Sequence, residues 1–213
     1  MIGAALRQSV VELCIELSRR GHLAGTGGNV AMRLDEAHFA VTPSATDYFE
    51  MGPADVCVLR LSDLARVEGD RAPSVESGLH ARVLRARRDV NCSIHTHHPV
   101  ASACALLGEP LPVVEPALRR SLGAVVTLVG YAPSGTAWLS HKLARTLRAD
   151  RNAYLLRNHG VLCCASSTDG AVQAVEDLEA LARRHLEERI TRQIKANPGR
   201  QDALARVLAS LDS

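Results

Sequence analysis

Aromatic residues are scarce in this chain, at 3% of 213 residues. That scarcity argues against a surface on which nucleic-acid bases stack. There is no basic stripe either, and the net charge is only +2, so nucleic acid is not expected as a partner. No run approaches the ~18 apolar residues that span a bilayer. The first residues form no continuous apolar segment of a secretory signal, because Arg7, Glu12 and Glu16 interrupt them. The expected location is the cytoplasm, with no membrane partner. The six cysteines (Cys14, Cys57, Cys92, Cys104, Cys163 and Cys164) lack CxxC spacing and lie in apolar segments. They read as buried, reduced thiols. Lysine is nearly absent. Of the 25 basic residues only Lys142 and Lys195 are lysines, both in amphipathic helical patterns. A Schiff-base enzyme needs a lysine desolvated in a pocket, so a carbonyl substrate here points to activation by a metal instead.

What is present is ordinary for a globular chain: 46% apolar and 23% charged residues. The length suits one domain over residues 1–213. Ala4–Arg20 carries a helical apolar face, and Val30–Leu34 with Phe39–Thr42 reads as a hairpin. Strands follow at Val56–Arg60 and Ala65–Glu68, then a helix over Glu76–Arg87 whose Arg82, Arg85, Arg87 and Arg88 form a solvated side. A buried strand is expected at Asn91–His97 and a helix over Pro99–Leu107. Further on come a strand at Val125–Val129, a helix at Thr136–Leu147 and strands at Ala153–Arg157 and Val161–Ala165. A long helix over Thr168–Ala196, capped by Thr168 or Asp169, and a last one over Gln201–Leu211 complete the chain. The mixture predicts a three-layer α/β/α sandwich whose central sheet is largely antiparallel.

The chemistry concentrates at Ile94-His95-Thr96-His97-His98-Pro99. Side chains alternate along a strand, so His95 and His97 share a face that His98 does not join as easily. Two imidazoles so placed can converge on one metal at ~2.0–2.1 Å. His159 stands on a tight turn, Asn158-His159-Gly160, between two apolar runs. Glu76, 19 positions before His95, opens a helix after Pro73-Ser74-Val75. Three histidines and a carboxylate are the inventory of a catalytic metal site with an open position. His22, His38, His80, His141 and His185 have no such context and read as surface or helix-face residues. The glycine-rich Thr26-Gly27-Gly28-Asn29 has no strand before it, unlike a dinucleotide loop. Its backbone N–H groups suit an anion, and Thr42-Pro43-Ser44-Ala45 is a second loop of the same kind.

The ordered set Thr-Gly-Gly-Asn, Thr-Pro-Ser, Pro-Ser-Val-Glu, His-Thr-His and Asn-His-Gly, followed from about Leu6 to about Leu186, closely resembles the class II aldolase/adducin family. Gly130–Thr136 looks like the family's stretch before its next helix. The resemblance implies that His95, His97 and His159 hold a divalent metal, usually Zn2+, and that Glu76 is the acid/base. It implies that Gly28, Asn29, Ser44 and Ser74 line a phosphate pocket. It also implies a C4 homotetramer with active sites between subunits.

This chain departs from the family pattern at Val75, where aldolases commonly have a second serine, and at Ala45, where they have a glycine. It also has no tyrosine in Val114-Glu115-Pro116-Ala117, where the aldolase has a catalytic one. Arg119 and Arg120 follow closely and offer guanidinium forks for a substrate carboxylate. The expectation is therefore a metal-dependent carbon–carbon lyase of carbohydrate metabolism acting on a small anionic substrate. It would cleave a sugar-phosphate-like hydroxy-carbonyl compound by a retro-aldol reaction through a metal-stabilised enediolate. The alternatives are decarboxylation of a hydroxylated carboxylic acid and a non-catalytic, adducin-head-like interaction module.

Overall fold

A computed structural model describes residues 2–211. Its centre is a nine-stranded sheet in the order β4-β3-β2-β1-β5-β9-β8-β7-β6. β1 (Asn29–Arg33) pairs antiparallel with β2 (His38–Val41), which pairs with β3 (Cys57–Arg60) and through it with β4 (Arg66–Glu68). β5 (Cys92–Thr96) lies between β1 and β9 (Gly160–Ala165), antiparallel to both. β8 (Ala153–Leu156) is antiparallel to β9, and β6 (Leu111–Pro112) to β7 (Val125–Val129). Among the described residues only the β7–β8 pair is parallel. The expected three-layer sandwich on a largely antiparallel sheet is what forms.

Alternation along the strands builds a separate core on each face of the sheet. On one face Val30, Ile94, Val161 and Cys163 pack with α1 (Ala4–Arg19), α3 (Pro99–Leu107) and α6 (Thr168–Ala196). On the other, Ala31, Phe39, Leu162 and Cys164 pack with α2 (Ser77–Ala86) and α5 (Ala137–Thr146). The six cysteines are all buried and unpaired, as their apolar settings suggested. Pro99 begins α3 and Gly108 ends it in the left-handed conformation, φ 78°.

Several sequence expectations need correction. The short β6 and α4 (Pro116–Leu122) were not foreseen, because Pro112 and Pro116 give this stretch the composition of a loop. The last helix, α7, stops at Ala209. The cap of α6 is Ser167, whose hydroxyl accepts from Gly170 N at 3.1 Å. Arg87 does not belong to a solvated face. It is buried and donates to the carbonyls of Arg148 and Arg151 and to Asp89 and Asn152. His80 is fully buried rather than a surface residue. Ala45 occupies the left-handed region at φ 49°, which costs a residue with a Cβ roughly 1–2 kcal/mol.

Candidate metal centre

His95 lies near the end of β5, and the chain leaves the sheet one residue later, at Thr96. The extended alternation nevertheless carries on to His97, so both rings emerge on the face that α2 covers. Their Nε2 atoms are 2.9 Å apart. His159 comes from the turn between β8 and β9. Asn158 takes φ 56° there, a conformation Asn tolerates, and the turn is closed by His159 N donating to Leu156 O at 3.0 Å. Glu76 caps the start of α2 and reaches both strands. Its Oε2 is 3.0 Å from His95 Nε2 and its Oε1 3.2 Å from His159 Nε2. One ligand atom from each of Glu76, His95, His97 and His159 lies within 4.8 Å of all the others.

The chemistry of these donors fits a divalent cation. His95 Nδ1–H donates to Val161 O at 2.7 Å, which leaves Nε2 with its lone pair facing the carboxylate. Burial, helped by the neighbouring imidazoles, lowers His97 to about 4 and also lowers His159, against the opposing pull of Glu76. Both rings are therefore neutral near pH 7. Burial alone would raise the Glu76 carboxyl. A proton on His95 or His159, when either ring carries one, and the hydrogen bond from the Asn29 amide oppose that effect and hold the group below the usual carboxylate range. Neutral imidazoles and an anionic carboxylate pointing at a common centre repel one another unless a cation lies between them.

The carboxylate is held in place by Asn29 and by three residues that sequence reasoning missed, His80, Ser93 and Ser134. Asn29 Nδ2 donates to Glu76 Oε2 at 3.0 Å, and Asn29 Oδ1 accepts from His80 Nε2 at 2.6 Å. His80 Nδ1 in turn accepts from the Ser93 hydroxyl at 2.8 Å. Ser134 donates to Glu76 Oε1 at 2.9 Å. A signal for His80 was present: it stands four residues after Glu76, on the inward stripe of Leu79, Val83 and Leu84. Ser93 is two residues before His95, on the same face of β5.

The expected substrate-binding residues fall into two groups. Ser44 N donates to Ala72 O and Ser74 N to Thr42 O, at 2.9 and 3.0 Å, so the two serine loops run side by side next to Glu76. The Ser74 hydroxyl accepts from Glu76 N at 3.2 Å. Gly28 accepts the Tyr48 hydroxyl on its carbonyl at 2.6 Å. Asn29 is turned toward the carboxylate and keeps one amide N–H for a ligand. Arg119 and Arg120 do not join the site within one chain. Arg119 Nε donates to Val113 O at 2.7 Å. Arg120 lines a cleft with Arg87, Asn152 and Ala165. Ala165 ends the strand that Gly160 begins, so roughly 17 Å of β9 separate this cleft from the histidines.

Gly160 admits the two strand histidines. A Cβ there would lie 2.5 Å from His97 Cδ2, 2.5 Å from the Thr96 carbonyl oxygen and 3.2 Å from His95 Cε1. The carbonyl is fixed by the sheet, so the exposed His97 ring must move. Gly160→Ala is expected to weaken zinc binding at least tenfold, the scale on which misplaced supporting groups act. Isothermal titration with zinc on the folded variant measures this, and unchanged affinity would contradict the geometry.

Residues 8–186 match the Class II Aldolase and Adducin N-terminal domain. The chain is 34% identical over 177 residues to 5-deoxy-D-ribulose 1-phosphate aldolase of Bacillus thuringiensis serovar kurstaki, covering 83% of this chain and 82% of that one. It is 26% identical over 181 residues to L-fuculose phosphate aldolase of Escherichia coli strain K12, covering 85% and 82%. A solved L-fuculose 1-phosphate aldolase superposes with a TM-score of 0.79 at 27% identity, over 100% of this chain and 99% of that one. The match spans every element that contributes to the site, from the Asn29 loop to the His159 turn, and the chain belongs to the class II aldolase and adducin family.

Proposed function

We propose that this chain is a metal-dependent lyase that cleaves a ketose 1-phosphate by a retro-aldol reaction. The observation that carries this is the convergence of His95, His97, His159 and Glu76 on one centre beside two paired loops that present Ser44 and Ser74. A divalent metal, in our reading Zn2+, held by the three histidines would supply Lewis-acid stabilisation for negative charge growing on the substrate's carbonyl oxygen. Ser44, Ser74 and the remaining Asn29 N–H bind the phosphate. Glu76, kept ionised by its neighbours, accepts and returns the proton. Lys142 offers no covalent route, since its Nζ donates to Tyr131 O at 2.7 Å and lies over the Trp138 ring. We assign the chain to the cytoplasm as a homotetramer built from one such domain per subunit. The family resemblance supports this; among the described residues no helix is long and apolar enough to cross a membrane.

The test is a substrate panel on zinc-loaded protein. Ketose 1-phosphates should yield dihydroxyacetone phosphate and an aldehyde. Hydroxylated carboxylic acids should release no carbon dioxide. Turnover of an acid with no cleavage of any ketose phosphate overturns the reading. Val75, 67% exposed, cannot donate to a phosphate from its side chain. Val75→Ser should therefore lower KM for the best ketose 1-phosphate, by up to the roughly 1.5–3 kcal/mol of a hydrogen bond to a charged group. An unchanged KM would remove position 75 from the phosphate site.

A further inference from the structure

The two oxygens of Glu76 are held unequally. Oε2 accepts from Asn29, a buried amide locked on its other side by His80. Oε1 accepts from Ser134, whose hydroxyl belongs to an exposed turn, Pro133–Thr136, ahead of α5. That turn is built to put the hydroxyl there. Thr136 caps α5 by accepting from Leu139 N and donates its own hydroxyl to Pro133 O at 2.7 Å. Gly135 takes φ 71° and lies so close to Val75 that a Cβ on it would be 3.3 Å from Val75 Cβ and Cγ2. Val75, the residue before Glu76, is thus the floor on which the Ser134 turn rests. The apolar residue at this position and the serine on the carboxylate form one local arrangement.

We infer that Ser134 is a positioning residue that shares Glu76 Oε1 with the metal centre. Each carboxylate oxygen faces one histidine nitrogen and one hydrogen-bond donor. A carboxylate oxygen that accepts a hydroxyl proton has less electron density to give a cation. Ser134 therefore holds Oε1 back from the metal and keeps it available to a substrate proton. Without Ser134, Glu76 is free to turn that oxygen fully onto the ion. The hydroxyl is a neutral donor and forms no bond to substrate.

The experiment compares Ser134→Ala and Ser134→Thr with the wild-type chain, each loaded with cobalt(II). Ser134→Ala should bind cobalt as tightly as wild type or tighter, with a changed visible absorption as the carboxylate contribution rises. In the turnover arm, which rests on the lyase reading above, its kcat should fall roughly 10–100-fold with KM changed far less, because the hydroxyl acts through the carboxylate and not on bound substrate. Ser134→Thr, which keeps the hydroxyl, should restore both. Unchanged absorption in Ser134→Ala overturns the inference. So does weaker cobalt binding accompanied by a lower melting temperature, because that marks a merely structural residue. Unchanged kcat does the same. If the wild-type chain cleaves none of the ketose phosphates, the lyase reading fails by itself, and the cobalt arm still decides the role of Ser134.

Discussion

His97→Ala is expected to leave a folded protein that no longer retains stoichiometric metal. Of the three histidines His97 is the exposed one, and it belongs to neither hydrophobic core. The fold rests on the two cores that sandwich the sheet, in which each fully buried Leu, Ile or Val contributes roughly 1.5–3 kcal/mol. One surface imidazole is small beside that sum. On the proposed ligand set the site would lose one of three nitrogen ligands, and with it the transition-state stabilisation a cation would supply, of order several kcal/mol. Elemental analysis after gel filtration is the measurement, with circular dichroism as the control. One equivalent of metal retained by the folded variant would take His97 out of the ligand set.

Glu76→Gln should separate metal binding from proton transfer. The amide matches the carboxylate in size, and the three histidines remain to hold the ion. What is lost is a base already ionised at neutral pH by the groups around it. Loss of a positioned general base lowers turnover by roughly 10²–10⁴-fold, with the phosphate contacts and hence KM changed far less. The check is kcat on the best ketose 1-phosphate together with metal content. Near-normal kcat in a metal-loaded Glu76→Gln protein would sink the assignment. Glu76→Ala would be a poorer test, because it leaves the buried Asn29 amide without its carboxylate partner.

Much of the centre was legible because it depends on local periodicity. His95 and His97 share a face through strand alternation, and that reading survives even though β5 ends one residue before His97. The Asn158-His159-Gly160 turn was legible from residue type, since Asn suits the left-handed conformation it adopts. That His159 meets the other two was not derivable from either segment alone. It follows from the pairing of Thr96 with Val161 across β5 and β9, a tertiary fact. The same limit hid His80, whose partner Asn29 is 51 residues away, and Ser134, which sits in a loop with no periodicity to read. Arg87 misled for a different reason. Runs of arginine usually mark a solvated face, but this guanidinium satisfies the carbonyls of Arg148 and Arg151 behind α5. Arg119 and Arg120 follow closely on Val114–Ala117 in sequence, and that closeness did not bring them to this chain's own site.

The central place of β5, between β1 and β9, sets when the centre can exist during synthesis. Glu76, His95 and His97 have left the ribosome long before His159, and β9, which must dock against β5, follows later still. Until then His95 Nδ1 has no Val161 carbonyl to fix its tautomer, and the ion has only part of its shell. Contacts of such long sequence separation form slowly. A metal held by all three histidines would therefore be captured only once β9 has docked on β5, and its binding would report that the sheet has closed.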